Sequence, residues 1–286
     1  MIVTPSLIER IDAYFQRKRP RTPTNETLER VETQMVIVLI YRNWWTVFAD
    51  FLKLHKSHLV TYRLNNGLQY TLRPGTTDRG IINETWIRRD YSPDGFEINP
   101  TDTILDIGGH IGAFTVWASR QARQGRIITF EPTKSNFTLL QQNVQDNRLA
   151  NVTLVKRAVA ARNGTAQLAL ASRNTGGHSF TVGLFESDVQ SFETVETTTL
   201  ASIMADYGIE RVNFLKIDCE GAEYEIFFTA SPDILRRIDK IAMEFHELDA
   251  ERNGLKMKAF LEQTGLFRVW INRSLLYALN VSGYSI

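Results

Sequence analysis

Apolar positions along the 286-residue chain change their spacing several times. Over residues 5–19, and again from Glu26 to about His55, they recur at helical intervals. The second run carries Val31, Met35, Val38, Leu39, Trp45, Phe48 and Leu52, and is apolar on more than one face. Arg42 and Asp50 interrupt it, so no transmembrane segment is expected: its uncharged length falls short of the ~20 residues that a bilayer span needs. Such a helix calls for cover on more than one side, which favours packing and a homodimer through this apolar helix over a substrate cap. Between residues 58 and 73 the spacing drops to two on either side of Asn65-Asn66-Gly67, the pattern of a β-hairpin. Residues 77–90 read as helix, and Tyr91-Ser92-Pro93-Asp94-Gly95 is turn chemistry.

From Thr101 onward strand-like and helix-like stretches alternate. Strands are expected around 103–107, 126–130, 152–155, 167–170, 193–198, 212–217 and 240–246, with helices over 136–147 and 250–263. Residues 267–271 and 275–279 would close the sheet as a hairpin. This is the rhythm of an α/β fold: a mostly parallel, Rossmann-like sheet with a C-terminal antiparallel hairpin and helices on both faces. Residues 1–75 then form an N-terminal helical plus hairpin extension, and residues 76–286 the main domain.

The polar residues worth attention sit where two of these strands end. Thr103-Ile104-Leu105-Asp106-Ile107 runs into Gly108-Gly109-His110-Ile111-Gly112, and helical spacing resumes at Ala113. A strand, a glycine-rich turn and a helix in that order let the backbone approach a ligand closely at a helix N-terminus. The next strand ends in Glu131, placed to accept hydrogen bonds from both ribose hydroxyls of a nucleoside. A second polar cluster, Asp218-Cys219-Glu220-Gly221-Ala222-Glu223, follows the strand that ends in Lys216-Ile217. Ligands in open α/β sheets bind at that edge.

Composition narrows the ligand class. With 33 basic against 32 acidic residues the formal net charge is +1, which points away from a nucleic-acid partner and toward a small one. One cysteine, Cys219, allows neither an internal disulfide nor a multi-thiolate zinc site, and fits a reducing compartment. The N-terminus lacks the basic-then-apolar pattern of a secretory signal, so the expected location is cytoplasmic.

With both clusters in view, the chain resembles the FkbM-type family of S-adenosylmethionine-dependent methyltransferases. The matching pieces are Asp106-Ile107-Gly108-Gly109-His110-Ile111-Gly112, Glu131-Pro132 with Asn136 and Asn143, Leu215-Lys216-Ile217-Asp218-Cys219-Glu220-Gly221-Ala222-Glu223, and Glu244-Phe245-His246. The resemblance implies a class I methyltransferase sheet with S-adenosylmethionine as cofactor. Asp106, Gly108, Gly109 and Gly112 would hold its methionine end, Glu131 its ribose, and Asp218 the region beside the transferred methyl. It also implies O-methylation of a hydroxyl on a sugar, glycan or other small natural-product acceptor.

Methyl transfer from a sulfonium is an in-line displacement, so the protein supplies alignment and a base for the acceptor proton. The candidates are Asp218, Glu220, His246 at a strand end and His178 on the Gly-flanked stretch 174–179. Asp218, Glu220, Glu223 and His246 offer oxygen and nitrogen ligands, yet no spacing here is diagnostic of a metal, and none is assigned. Two other readings stay open: an NAD-type oxidoreductase, which leaves the second cluster unexplained, and a catalytically inactive binding or assembly module.

Overall fold

The computed structural model describes residues 37–55, 57–171 and 189–282. A division between Glu97 and Ile98 separates two units. The expected helix over residues 5–19, the part of the apolar run before Ile37, and the 174–179 stretch lie outside the described residues.

In the first unit an α-helix, α1 (Trp44–Phe51), precedes two antiparallel strands, β1 (Val60–Arg63) and β2 (Gln69–Leu72), as the alternation around Asn66-Gly67 predicts. Tyr62 and Tyr70 face each other across this hairpin and are completely enclosed. Tyr41 meets the Tyr62 ring edge-on at 5.4 Å. The single helix expected over 77–90 is instead α2 (Asp78–Asn83) running into a π-helical turn, Glu84–Arg88, which ends where Arg89 turns left-handed at φ 53°. Among the described residues, no helix is long and apolar enough to cross a membrane.

The second unit is built on a seven-stranded sheet. Its strands are β3 (Thr103–Ile107), β4 (Arg126–Phe130), β5 (Val152–Val155), β9 (Phe214–Ile217), β10 (Lys240–Glu244), β11 (Phe267–Asn272) and β12 (Leu275–Asn280), in the order β11-β12-β10-β9-β3-β4-β5. Only the pairings of β12 are antiparallel; the rest are parallel. Strand runs read as continuous apolar stretches because both faces are covered. Leu105, Ile107, Ile128, Leu215, Ile217 and Met243 form the centre of the core, with Met204, Tyr224, Phe227 and Leu261 packed on it from helices.

The sequence expectation fails for two strands. Residues 164–171 and 189–198 (β7, Gly164–Ala171, and β8, Val189–Thr198) leave the main sheet and make a separate one with β6 (Ala158–Val159), ordered β6-β8-β7. A parallel neighbour needs a crossover of a dozen or more residues, usually a helix. The eight residues between Val155 and Gly164 offer no such helix, and β7 instead pairs antiparallel with β8.

This order places the functional edge. After β3 the chain adds β4 and β5 on one side, then returns to lay β9 on the other. The topological switch therefore falls between β3 and β9, whose C-terminal tips open a crevice. Gly108 follows one tip and Asp218 the other, and the two meet. Gly108 has φ +78°, and a Cβ built on it would lie 1.7 Å from the Asp218 carbonyl oxygen. Only glycine satisfies both constraints, because the obstacle is backbone rather than a yielding side chain.

Gly108→Ala is therefore expected to destabilise the second unit by several kcal/mol, through left-handed strain of about 1–2 kcal/mol and a backbone clash added to it. Gly265 also has positive φ (+69°), but its Cβ would meet nothing within 4 Å. Gly265→Ala should cost only the strain, about 1–2 kcal/mol. Chemical denaturation of the two variants measures the difference, and equal losses would show that the two tips are not in contact.

Candidate active site

Parallel register sets the first layer of the site. Asp106 on β3 stands opposite Thr129 on β4 and Lys216 on β9, so the three side chains point to one face. Residues 113–121 (α3, Ala113–Gln121) cover that face. Its Thr115 Oγ1 donates to Asp106 Oδ2 at 2.6 Å, and Thr129 Oγ1 donates to Thr115 Oγ1 at 3.3 Å. Asp106 is completely buried, and burial pushes its carboxyl upward against the pull of Lys216 and Thr115.

Lys216 joins the two strand tips. Its Nζ donates to the Gly108 carbonyl at 2.6 Å and lies 3.4 Å from the Ile107 carbonyl. The same ammonium is 3.5 Å from Asp106 Oδ1 and 3.9 Å from Asp218 Oδ2. Burial alone would deprotonate it, but the charges of Asp106, Asp218 and Glu244 outweigh that and raise it above the usual lysine range. The sequence signal for this role is the alternation of Lys216 with Asp218, which puts both side chains on one face.

The glycine turn is held from within. The Gly108 and Gly109 N–H groups both donate to the Phe130 carbonyl, at 3.0 and 2.9 Å. The His110 N–H donates to Glu131 Oε2 at 2.9 Å. Gly112 opens α3 in a left-handed conformation. Glu131 is 4% exposed. Its Oε1 accepts from the Thr133 N–H at 2.9 Å and the Thr133 hydroxyl at 2.7 Å, and burial raises its carboxyl against those bonds. Each carboxylate oxygen can accept two hydrogen bonds, so Oε2, which takes the His110 N–H, keeps capacity for a hydroxyl.

The second motif folds back on itself. Glu220 (φ 53°) and Gly221 (φ 102°) are both left-handed, a reversal that makes glycine valuable at the second position. Glu223, completely buried at the start of α4 (Glu223–Phe228), closes the loop: its Oε1 accepts from Cys219 N at 2.9 Å and its Oε2 from Gly221 N at 2.8 Å. This explains the spacing of Asp-x-Glu-Gly-Ala-Glu, in which the last residue is the loop's internal acceptor.

His246 follows β10 and inserts between the two glutamates. Its Nε2 is 2.9 Å from Glu220 Oε2 and its Nδ1 3.4 Å from Glu223 Oε1. Burial favours the neutral ring, but the two carboxylates overcome it and push His246 up to about 11. At neutral pH it is an imidazolium. Glu220 is itself pushed up by burial, with His246 pulling against that. Burial and the Glu223 and Asp218 charges drive the Cys219 thiol well above its ordinary range, which disqualifies it as a nucleophile. Asp218, Glu223 and His246 each present one potential ligand atom, all within 4.8 Å of one another.

The structure thus brings Asp106, Gly108 and Asp218 together through Lys216, and Glu220 and His246 together beside Glu223. Glu131 sits under the glycine turn at the neighbouring tip. His178 lies outside the described residues. Thr115 and Thr133 are positioning groups that sequence reading did not single out, and Glu223, weighed there only as a possible metal ligand, is a third.

A family profile described as "Methyltransferase FkbM domain" matches residues 106–277. "Methyltransferase 1" of Beauveria bassiana is 25% identical over 210 residues, covering 68% of this chain and 82% of that protein. The "31-O-demethyl-FK506 methyltransferase FkbM" of Streptomyces tacrolimicus is 25% identical over 215 residues, covering 66% of this chain and 82% of its own length. Among solved structures the chain is similar to M. jannaschii TYW2 in complex with AdoMet, with TM-score 0.40, 11% identity, and coverage of 79% of this chain and 85% of that one. Since the profile spans more than half of the chain and runs from the Asp106 strand tip into the last strand, β12, this protein belongs to the FkbM methyltransferase family.

Proposed function

We propose that the chain transfers a methyl group from S-adenosylmethionine to a hydroxyl of a sugar, glycan or other small natural-product acceptor. The observation that carries the cofactor assignment is the state of the turn donors. The N–H groups of Gly108, Gly109 and His110 are all engaged within the protein, and the side chains around the two tips are mainly carboxylates, with Lys216 buried among them. A dinucleotide pyrophosphate needs free N–H groups or exposed cations at such a turn. A ribose and a sulfonium need acceptors and negative charge. Glu131 Oε2 and the partly exposed Asp218 carboxylate supply them, so the residues fit the sulfonium nucleoside and disfavour the NAD-type reading.

The bound cofactor would supply an electrophilic methyl. The chain's own contribution is alignment and a base. His246 is a cation at neutral pH, held between Glu220 and Glu223, so proton removal falls to a carboxylate at the rim, Asp218 or Glu220. His246 then acts as a positioning residue that fixes Glu220. The name of the Streptomyces relative supports oxygen as the methylated atom.

Three outcomes are expected. Calorimetry with the whole chain should give S-adenosylmethionine binding and no heat with NAD, and Glu131→Gln should lower the affinity roughly tenfold or more, the worth of a hydrogen bond to a charged acceptor. Unchanged affinity would remove the ribose assignment. Incubation with methyl-labelled S-adenosylmethionine and an extract of the source cell should yield a labelled methyl ether; label on nitrogen or carbon, or none at all with cofactor bound, counts against the proposal.

The third concerns pH. A raised folded-state value means that the stabilising contribution of His246 is complete below about pH 6.5, the ordinary histidine value, and is lost as pH rises toward about 11. His246→Ala should cost roughly 3 kcal/mol at pH 6 by stranding buried carboxylates, and the gap to the parent should narrow steadily above pH 7. A gap independent of pH between 6 and 10 would mean that the ring is neutral.

A further inference from the structure

The first unit presents two features that the methyltransferase reading does not use. On α1, Val47 and Asp50 turn inward, while Trp44, Trp45, Phe48 and Phe51, with Leu52 just beyond, line the opposite side at positions i, i+1, i+4, i+7 and i+8. Trp45, Phe48 and Phe51 are each more than half exposed, as is Leu54. An apolar stripe of this kind on a soluble surface marks an interaction face.

Beside the C-terminal end of α1 lies a cavity of about 540 Å³ whose wall includes Lys53, His55, Ser57, His58 and Arg73. Its one acid, Asp50, is neutralised from inside. Tyr62 Oη donates to it at 2.6 Å, Gly75 N at 2.7 Å, and Arg79 lies 3.6 Å away. Arg73 is held by Asp78 through two 2.9 Å bonds. The exposed ammonium of Lys53 thus gives the cavity mouth a cationic character. His55 Nε2 is 2.9 Å from the Thr46 carbonyl, which ties the cavity wall to the apolar helix.

Charge settles the kind of partner. Residues 37–63 contain four basic residues, Arg42, Lys53, Lys56 and Arg63, against the single buried acid Asp50. The chain as a whole is nearly neutral, with a formal charge of +1, so this concentration is local. Tryptophan and phenylalanine on one side of a helix, with cations beside them and no exposed acid, is the composition that lies in a bilayer's headgroup boundary. A self-association face would set cation against cation.

We infer that the first unit docks on an anionic phospholipid surface, the Trp44–Leu52 stripe entering the headgroup boundary and the adjoining Lys53–His58 cavity receiving a headgroup phosphate. The methyltransferase would then meet its acceptor at a membrane surface. This inference does not depend on the cofactor assignment, because every residue in it belongs to the first unit.

The test is co-sedimentation of the whole chain with vesicles of phosphatidylcholine containing phosphatidylglycerol, and with pure phosphatidylcholine. Binding to the anionic vesicles only, weakening as salt rises, is expected. Trp45→Ser combined with Phe48→Ser should lower that binding at least tenfold with the melting temperature unchanged, since both side chains are exposed. Lys53→Gln should lower it about fivefold, the worth of one basic residue near such a surface, and keeps the test decisive if the double variant fails to fold. Absence of binding to either vesicle, or equal binding to both, overturns the inference. So does a dimer in sedimentation velocity that the double variant dissociates while vesicles are ignored, which would give the stripe to a second copy. Calorimetric binding of inorganic phosphate without vesicle binding would likewise overturn it, leaving a site for free phosphate.

Discussion

A single buried ammonium organises the chemistry of this protein. Lys216 stands at the junction of the two strands between which the sheet reverses its order, and its hydrogen bond to the Gly108 carbonyl joins the glycine turn to the second motif. A lysine enclosed among apolar side chains would lose its proton. Here the charges of three carboxylates, Asp106, Asp218 and Glu244, keep it charged, and its own charge in turn pulls Asp106 toward ionisation. Such a cluster is costly to break because removing one member strands the rest. The contact of Gly108 with the Asp218 carbonyl follows from the same closeness: the tips are drawn together until no side chain fits between them.

Around that centre the polar groups fall into an inner and an outer set. Thr115, Thr129 and Asp106 lie under the turn, and Glu223 under the second loop, with their hydrogen bonds directed at backbone or at one another. They fix shape. Asp218 and Glu220 stand at the rim, partly exposed, where charge is available to a ligand. His246 belongs between the sets. Because two carboxylates grip it, it serves as a fixed positive charge and gives up the role of base that its residue type suggests at neutral pH.

Much of this was legible in the chain alone. The apolar run into Asp106, the three glycines and the apolar strand before Asp218 located both tips, because strand period and turn chemistry are local properties. What escaped was non-local. Nothing in the spacing says that Lys216 stands opposite Asp106, since register is fixed by the whole sheet. Charge state escaped for the same reason: His246 reads as a titratable base until Glu220 and Glu223, more than twenty positions earlier, are seen on either side of it. The strands β7 and β8 were visible as elements while the separate sheet they form was not, because alternation gives an element and not its neighbour.

The arrangement also bears on how the family's two motifs relate. The first motif of Asp106 to Gly112 is of a kind that many nucleoside-binding sheets share, whereas the string from Lys216 to Glu223 is distinctive. In this fold the second string shapes the surroundings of the first. Lys216 occupies the Gly108 carbonyl, the backbone at Asp218 excludes any side chain at Gly108, and the carboxylates of Asp218 and Glu220 make the shared crevice anionic. On the proposed reading, a turn that elsewhere in α/β proteins faces phosphate would here face a cation. Selectivity would then lie less in the glycines than in the negative charge that the neighbouring strand brings beside them.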